Sequence, residues 1–219
     1  MGSIGNFFSR RSPKFYFIQR SFGNRPFRLL DIGAGNHSAS KTKRLFPACE
    51  YHGLDINKDY NNSPEDFKAM TAFYEMDLTR LQFDVLQNDF FDAIWIVHVI
   101  EHLHNGDEVL LRLLPKLKKG GFLYVEFPGK KSTTLPSMYG TLNFHDDASH
   151  VRIYSAKEVS SLLEKAGFET ISNGTRRNWY YIFAMPFRIL GHWARGKKLQ
   201  GNIFWDLLGF AEFVYGRKR

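Results

Sequence analysis

Residues 27–35, FRLLDIGAG, are the stretch of sequence that decides the fold. They form a short apolar run that ends in two glycines, which is the pattern of a buried parallel strand entering a tight turn. Glycine at such a turn lets the backbone approach a ligand closely, because it carries no Cβ atom. Ligands of open parallel sheets bind beyond the carboxyl ends of the strands. The turn at 33–36 is therefore the first place where we expect a ligand.

Similar apolar runs follow along the chain, and segments with helical character separate them. Pro115 should kink or split the helix predicted around it. Ser155 and Glu158 form an S-x-x-E capping box, and Gly167 supplies the stop of the helix that follows. This alternation predicts an α/β, Rossmann-like, open and mostly parallel twisted sheet with helices on both faces, plus a C-terminal helical extension. After the first strand (27–33), strands are predicted at 50–56, 73–78, 91–100 and 122–128, and helices at 38–46, 107–121 and 155–168.

The length of 219 residues suits one α/β domain and is too short for two. We expect a basic aromatic N-terminal extension at 1–26, a Rossmann-like domain at 27–178 and a basic amphipathic helical tail at 179–219. In the tail, apolar residues repeat at helical spacing, which predicts a helix with a broad apolar face. These residues are Ile203, Leu207, Ala211 and Val214.

The net charge of +8 is unevenly distributed along the chain. Residues 1–28 carry +6 and residues 174–219 carry +7, which leaves −5 for the segment between them. An acidic body argues against a nucleic-acid channel through the domain. Two basic ends suit contact with an anionic surface such as a membrane.

The sequence shows neither a bilayer-spanning apolar stretch nor the apolar region of a signal peptide. Its single cysteine, Cys49, cannot form an internal disulfide. We therefore expect a cytoplasmic protein, with peripheral contact to the inner membrane face through both termini as an open possibility. Packing against the sheet and a homodimer contact are the alternative roles of the tail.

Polar residues follow the predicted strands at what should be one edge of the sheet. Asp55 lies twenty residues beyond Gly35, a distance at which a carboxylate can bind both hydroxyls of a ribose. A dinucleotide site would have a third glycine at position 38, where this chain has Ser38. Asp31 favours a cationic sulfonium or ammonium group over a pyrophosphate. The loop therefore favours a nucleoside that bears an amino acid, and argues against NAD.

Residues 27–172 resemble class I S-adenosylmethionine-dependent methyltransferases of the bacterial type that acts on small or lipid-linked acceptors. The resemblance is carried by D-x-G-x-G at 31–35, the acid at 55, FDAIWIVHVIEHL at 91–103, LKKGGFLYVEFPG at 117–129 and HVRIYS at 150–155. The chain departs from the fuller motif at its third glycine, which is His37. The resemblance implies S-adenosylmethionine as cofactor, with the methionine moiety at Asp31, Gly33, Ala34, Gly35 and Asn36, the ribose at Asp55 and Ile56, the adenine at Asp77 and Leu78, and the sulfonium near His98.

Methyl transfer requires alignment of the reactants, and a base when the acceptor is a hydroxyl. Histidine suits that role because imidazole titrates near neutral pH. Among His98, His102, His145 and His150, we assign the catalytic role to His150, with His102 and Glu101. A structural role in organising the loop is the alternative for the Glu-His pair.

A metal site is the other interpretation of the same residues. His98-x-x-Glu101-His102, with the distant His150, supplies nitrogen and oxygen ligands. The pattern is similar to the Glu-x-x-Glu-His arrangement of some metal-dependent O-methyltransferases. Because its first ligand is histidine here, we predict that no metal is bound.

The leading hypothesis is therefore a methyltransferase that acts on oxygen of a small or lipid-linked acceptor. An RNA 2′-O-methyltransferase is an alternative, favoured by the net charge and disfavoured by the acidic body. A non-catalytic, membrane-associated Rossmann scaffold is an alternative of a different class.

Overall fold

A seven-stranded sheet forms the centre of the computed structural model, which describes residues 10–219. The strand order is β3-β2-β1-β4-β5-β7-β6, and only β7 runs antiparallel to its neighbours. The strands are β1 (Phe27–Ile32), β2 (Cys49–Asp55), β3 (Ala72–Glu75), β4 (Phe91–Val97), β5 (Leu117–Pro128), β6 (Phe168–Thr175) and β7 (Ala211–Lys218). The predicted α/β Rossmann-like fold is confirmed.

Helices cover both faces of this sheet. They are α1 (Pro13–Phe22), α2 (Ser38–Leu45), α3 (Pro64–Ala69), α4 (Gly106–Leu113), α5 (Ala156–Lys165), α6 (Trp179–Ala194) and the single turn α7 (Trp205–Leu208). Of the N-terminal extension predicted at 1–26, only residues from 10 onward lie within the described part, and they contain α1. Across residues 10–219, no helix is long and apolar enough to cross a membrane.

The central strands are apolar on both faces because each face carries its own core. In β4, Ile94 and Ile96 belong to the core that includes Val109 of α4, whereas Trp95 packs in the opposite core with Phe15 of α1. Two-sided burial explains why these strands read as continuous apolar runs in the sequence. It also fixes the register, so that all five predicted strands end at the same edge of the sheet.

The structure tests two of the local helix signals. The helix predicted at 107–121 divides at Pro115, because α4 ends at Leu113 and a 3₁₀ turn follows at Leu114–Lys116. The second half of that prediction is wrong, since residues 117–121 begin β5. Ser155 caps α5 by accepting a hydrogen bond from the Glu158 backbone N–H. The predicted capping box is only half formed, because the Glu158 side chain accepts from Arg152 at 3.1 Å.

The helix predicted over residues 203–214 is confirmed only in part, because one helical turn forms at Trp205–Leu208 and a strand begins at Ala211. The tail is helical over Trp179–Ala194, but its last segment is β7, inserted between β5 and β6. Val214 and Tyr215 are both buried, one on each face of the sheet. A strand buried on both faces has consecutive apolar residues, and such a short run cannot be told from a buried helix by its periodicity. The division of the chain into three segments stays a prediction, with β7 belonging to the sheet.

Candidate functional site

Asp31 anchors the first turn from beneath. Its carboxylate is buried and its Oδ2 accepts hydrogen bonds from the Ser38 hydroxyl at 2.5 Å and the Tyr51 hydroxyl at 2.6 Å. These bonds connect the end of β1 to α2 and to β2. Lys14 Nζ, on α1, donates a hydrogen bond to Ser38 Oγ at 3.4 Å. The acid that we expected beside a cationic ligand is therefore also a structural anchor of the turn.

The two glycines of the turn lie where side chains do not fit. Gly33 has a positive φ of 79°, and a Cβ atom there would lie 2.6 Å from a methyl group of Val99. At Gly35 a Cβ atom would lie 2.5 Å from the ring of Tyr60. The backbone N–H of Gly33 donates to the Leu54 carbonyl at 2.8 Å. The turn therefore sits against both the end of β2 and the loop after β4.

His37 occupies the position of the third glycine, and its backbone conformation explains why glycine is usual at this position. The residue has a φ of 58°, in the left-handed region that glycine adopts easily, and Asn36 before it has a φ of 54°. The His37 ring nitrogen Nδ1 lies 2.6 Å from the fully buried carboxylate of Asp66. Burial opposes the ionisation of Asp66, but hydrogen bonds from Ser40, Ser63 and His37 outweigh it and hold its pKa well below the usual range. His37 therefore adopts a backbone conformation that is less favourable for histidine than for glycine, and its ring gains a hydrogen bond to Asp66 of α3.

Asp55 lies at the end of β2, beside the turn. Its side chain is half-buried, and burial raises the pKa of its carboxyl despite a hydrogen bond from the Asn57 N–H at 3.3 Å. Ile56 next to it is 66% exposed. A half-buried carboxylate held only by its own loop can exchange that weak contact for stronger donors, such as hydroxyl groups.

Asp77 and Leu78 follow β3 and border the same edge. Asp77 Oδ1 accepts hydrogen bonds from the Thr79 N–H at 2.9 Å and the Thr79 hydroxyl at 2.6 Å, and these lower the pKa of the carboxyl. Leu78 is buried within the core. The Asn105 amide, in the loop after β4, donates to the Thr79 carbonyl at 2.9 Å. The residues predicted after the first four strands are thus joined along one continuous edge.

His98 is held between two carboxylates. Its Nδ1 lies 3.2 Å from Glu101 Oε1 and its Nε2 lies 3.2 Å from Glu126 Oε1. Burial lowers the pKa of His98, but the hydrogen bonds and negative charges of Glu101 and Glu126 outweigh it and raise the pKa to about 9. Both ring nitrogens therefore carry protons at neutral pH. His98 is a fixed imidazolium in this arrangement and is not suited to act as a base.

A buried ion-pair network lies behind His98, and the sequence analysis missed it. Arg176 Nη1 is 3.0 Å from Glu126, and Arg176 also binds both oxygens of Asp206, at 2.7 and 3.1 Å. The ring of Trp205 lies 4.9 Å from the His98 ring. The C-terminal segment therefore covers this part of the site. The available signal was Glu126, a lone acid in the otherwise apolar strand FLYVEFP.

Glu101, His102 and His150 form a second cluster beside His98. Each offers one ligand atom, and the three atoms lie within 4.8 Å of one another. Glu101 is fully buried and its Oε2 has no hydrogen-bond partner in the described part of the chain. His150 Nδ1 lies 2.6 Å from the Phe144 carbonyl, which can only accept, so Nδ1 carries a proton; Nε2 lies 3.9 Å from Asp147 Oδ2. His145 is exposed on the same loop, outside the cluster.

The cluster offers two chemical possibilities. The His150 imidazole lies beside the buried Glu101 carboxylate, whose Oε2 has no hydrogen-bond partner in the described part of the chain, so that it can accept a proton and have the resulting charge stabilised. Two imidazoles and one carboxylate are also donors that divalent transition metals accept. The donor set therefore fits a metal ion as well as a proton relay.

Comparisons with known proteins identify the family and the fold. A family model described as a methyltransferase domain matches residues 7–173. No curated protein sequence matches the chain. Among solved structures, a SAM-dependent methyltransferase from Archaeoglobus fulgidus is similar, with a TM-score of 0.61, 20% identity and coverage of 99% of this chain and 95% of that chain.

Two further solved structures are similar in fold. Phosphoethanolamine N-methyltransferase 2 from Haemonchus contortus, in complex with S-adenosyl-L-methionine, has a TM-score of 0.66 at 17% identity. That match covers 99% of this chain and 53% of the longer protein. The 1,6-didemethyltoxoflavin-N1-methyltransferase from Burkholderia thailandensis, with 1,6-didemethyltoxoflavin and S-adenosylhomocysteine bound, has a TM-score of 0.62 at 15% identity. It is covered to 81%, and this chain to 99%.

Proposed function

The chain belongs to the methyltransferase-domain family, and on that premise we propose that it transfers the methyl group of S-adenosylmethionine to an oxygen atom of a small or lipid-linked acceptor. The observation that carries the proposal is the turn at 31–36, packed against the end of β2 with the half-buried Asp55 beside it. The complexes of similar folds with S-adenosyl-L-methionine and S-adenosylhomocysteine support the same donor.

The donor's three parts are assigned along the edge of the sheet. The methionine moiety contacts the turn from Asp31 to Asn36, where Gly33 and Gly35 keep the backbone accessible. Asp55 and Ile56 take the ribose, since a carboxylate held only by backbone N–H groups of its own loop can accept both hydroxyl hydrogens. Asp77 and Leu78 border the adenine. His98 lies near the sulfonium, where Glu101 and Glu126 balance its charge.

The base is assigned to His150, with Glu101 and His102 beside it. His150 Nε2 takes the hydroxyl proton of the acceptor as the oxygen attacks the methyl carbon and the carbon–sulfur bond breaks. The proton moves to His150, the electron pair of the broken bond stays on sulfur, and S-adenosylhomocysteine leaves. The uncompensated carboxylate oxygen of Glu101 stabilises the positive charge that the cluster gains.

We further propose that this proton relay works without a metal ion. The first position of the metal pattern is His98, and both of its nitrogens already bind carboxylates. Three ligand atoms remain, and they suffice for a relay. Removal of divalent metals should therefore leave methyl transfer unchanged.

The experiment uses S-adenosylmethionine with a carbon-13 methyl group and separate lipid and polar extracts as acceptor sources. We expect a labelled product whose methyl chemical shift identifies attachment to oxygen. His150→Gln should lower the rate of labelling about 100-fold or more, whereas His145→Gln, a change on the same loop outside the cluster, should not change it. Attachment of the label to nitrogen or carbon would contradict the oxygen assignment while leaving methyl transfer intact.

A further inference from the structure

Helix α6 exposes an apolar stripe along its whole length. None of its 16 residues is buried. Five large apolar side chains on one face of the helix are between 58% and 76% exposed; they are Trp179, Phe183, Phe187, Leu190 and Trp193. They recur at the spacing of three or four residues that places side chains on one side of a helix. A contiguous exposed stripe of this kind marks an interaction surface.

The stripe is exposed although α6 is anchored to the rest of the protein. The opposite side of α6 carries residues that are half-buried, such as Ile182, Met185 and Ile189. Asn178 caps the helix, and its own backbone N–H donates to Asp206 Oδ1 at 2.9 Å. The stripe therefore points away from the protein while its other face packs onto it.

The charge around the stripe has one sign. Residues 177–205 contain five Lys or Arg and no Asp or Glu. Within the described residues, none of these five cations forms an ion pair. A shallow cavity of about 550 Å³ runs beside the stripe, and its lining includes Arg188, His192 and Arg195, with the small residues Ala184 and Gly191 between them. Guanidinium groups over small residues fit phosphate groups, which they bind through paired N–H donors.

We propose that α6 docks on an anionic phospholipid surface, with its apolar stripe at the depth of the acyl boundary and Arg188 and Arg195 bound to lipid phosphates. The helix is about 24 Å long at 1.5 Å per residue, and it lies in the plane of the interface. Tryptophan near each end of the stripe suits that plane, because indole prefers the headgroup region. The apolar stripe faces the docked surface, and Arg188 and Arg195 lie on the flank of α6 next to Phe187, where the cavity opens.

A second copy of this chain is a poorer occupant of the same face. A symmetric dimer would place the face against itself, so that the five cations of one chain would oppose those of the other. No acid between 177 and 205 could relieve that repulsion. An anionic membrane supplies both the apolar layer and the negative charge that the face lacks.

Docking also orients the proposed active site. The first residue of α6, Trp179, lies three residues after Arg176, which binds Glu126 beside His98. Trp205, whose ring contacts His98, is tied to the Thr141 carbonyl by its indole N–H at 2.6 Å. A membrane-resident, amphiphilic acceptor could thus reach the site from the docked side; this assignment of the acceptor rests on the proposed function, whereas docking itself does not.

The test is sedimentation of the full chain with vesicles of phosphatidylcholine alone or with 30% phosphatidylglycerol, a mixture chosen at roughly the anionic content that attracts basic segments. We expect binding to the anionic vesicles and at least tenfold weaker binding to the neutral ones. Arg188→Gln with Arg195→Gln should weaken binding about 30-fold, since each cation near an anionic surface contributes about fivefold. Lys157→Gln with Lys165→Gln, two exposed cations on α5, should not change it.

A second pair of variants tests whether binding depends on the apolar stripe itself or on exposed apolar residues anywhere on the protein. Phe183→Ser with Phe187→Ser should reduce vesicle binding at least tenfold, whereas Val85→Ser with Ile171→Ser, also exposed, should leave it unchanged. Failure of the chain to bind anionic vesicles would overturn the proposal. So would a dimer that dissociates in the Phe183/Phe187 variant, because a second copy would then be the occupant.

Titration of the same proteins with S-adenosylmethionine keeps the two proposals apart. Vesicle binding lost in the stripe variant, with donor binding intact, supports the docking face. Donor binding without any vesicle binding would refute docking alone. Vesicle binding without donor binding would refute the proposed function and leave docking in place.

Discussion

The stability of the protein should fall on the alkaline side of neutrality because of His98. Its folded pKa of about 9 lies above the ordinary value of 6.5, so the imidazolium stabilises the folded state. The shift corresponds to about 3 kcal/mol at 1.4 kcal/mol per pKa unit. This contribution is fully present below pH 6.5, declines as the pH rises from there, and is lost above pH 9. Carboxylates on both sides of the ring, 3.2 Å away, are its source.

Urea denaturation between pH 6 and 10 measures the effect. The free energy of unfolding of the unchanged protein should decline by about 3 kcal/mol more than that of the His98→Gln variant over this range. His145→Gln, at an exposed histidine, should behave like the unchanged protein. Other alkaline titrations are common to all three proteins and cancel in the comparison. Parallel pH profiles for the unchanged and His98→Gln proteins would refute the imidazolium assignment.

Three further perturbations follow from named contacts. His150→Gln should lower kcat about 100-fold or more with little change in the KM for S-adenosylmethionine. EDTA should change neither kcat nor KM of the unchanged protein. Loss of activity in EDTA that Mn²⁺ or Zn²⁺ restores would contradict the metal-free relay. Gly35→Ala should destabilise the protein by about 1–3 kcal/mol in thermal unfolding, because the added methyl group would overlap Tyr60. Gly191→Ala is the control, since its methyl group would enter open space, and it should be neutral or stabilising. Equal effects of the two changes would contradict the packing of the turn. Arg176→Met should cost about 3–5 kcal/mol in urea denaturation, since two buried carboxylates lose their partner, and a cost below 1 kcal/mol would contradict the network.

The strands β1 to β4 and residues 122–128 of β5 could be predicted from the sequence because their signals are local. An apolar run bounded by glycine or a polar turn indicates a strand buried on both faces, even when the neighbouring strands are not known. Pro115 and Ser155 act through the backbone within one turn of helix, so their effects were also predictable. The same information predicts that the polar residues after these strands lie at one edge of the sheet, because parallel strands end there.

The last strand and the ion-pair network depend on contacts that are distant in sequence. Ala211 and Val214 match a helical spacing, and only their pairing with β5 and β6 makes them part of a strand. Glu126, Arg176 and Asp206 come from three separate segments, and their pairing sets the charge around His98. A histidine could therefore be placed at the site from sequence, but its protonation depends on the register of β4 against β5. His37 shows the same limit, since its partner Asp66 is 29 residues away.

Calorimetric titration with S-adenosylmethionine is the most direct measurement of the central claim, that the turn at 31–36 and Asp55 form one nucleoside site. The account predicts a single site per chain, at least tenfold weaker binding in Asp55→Asn from the loss of charged acceptors for the ribose hydroxyls, and unchanged binding in Asp59→Asn, an exposed acid of the same loop. Absence of binding at about 1 mM, or equal affinity in Asp55→Asn and the unchanged protein, would contradict it.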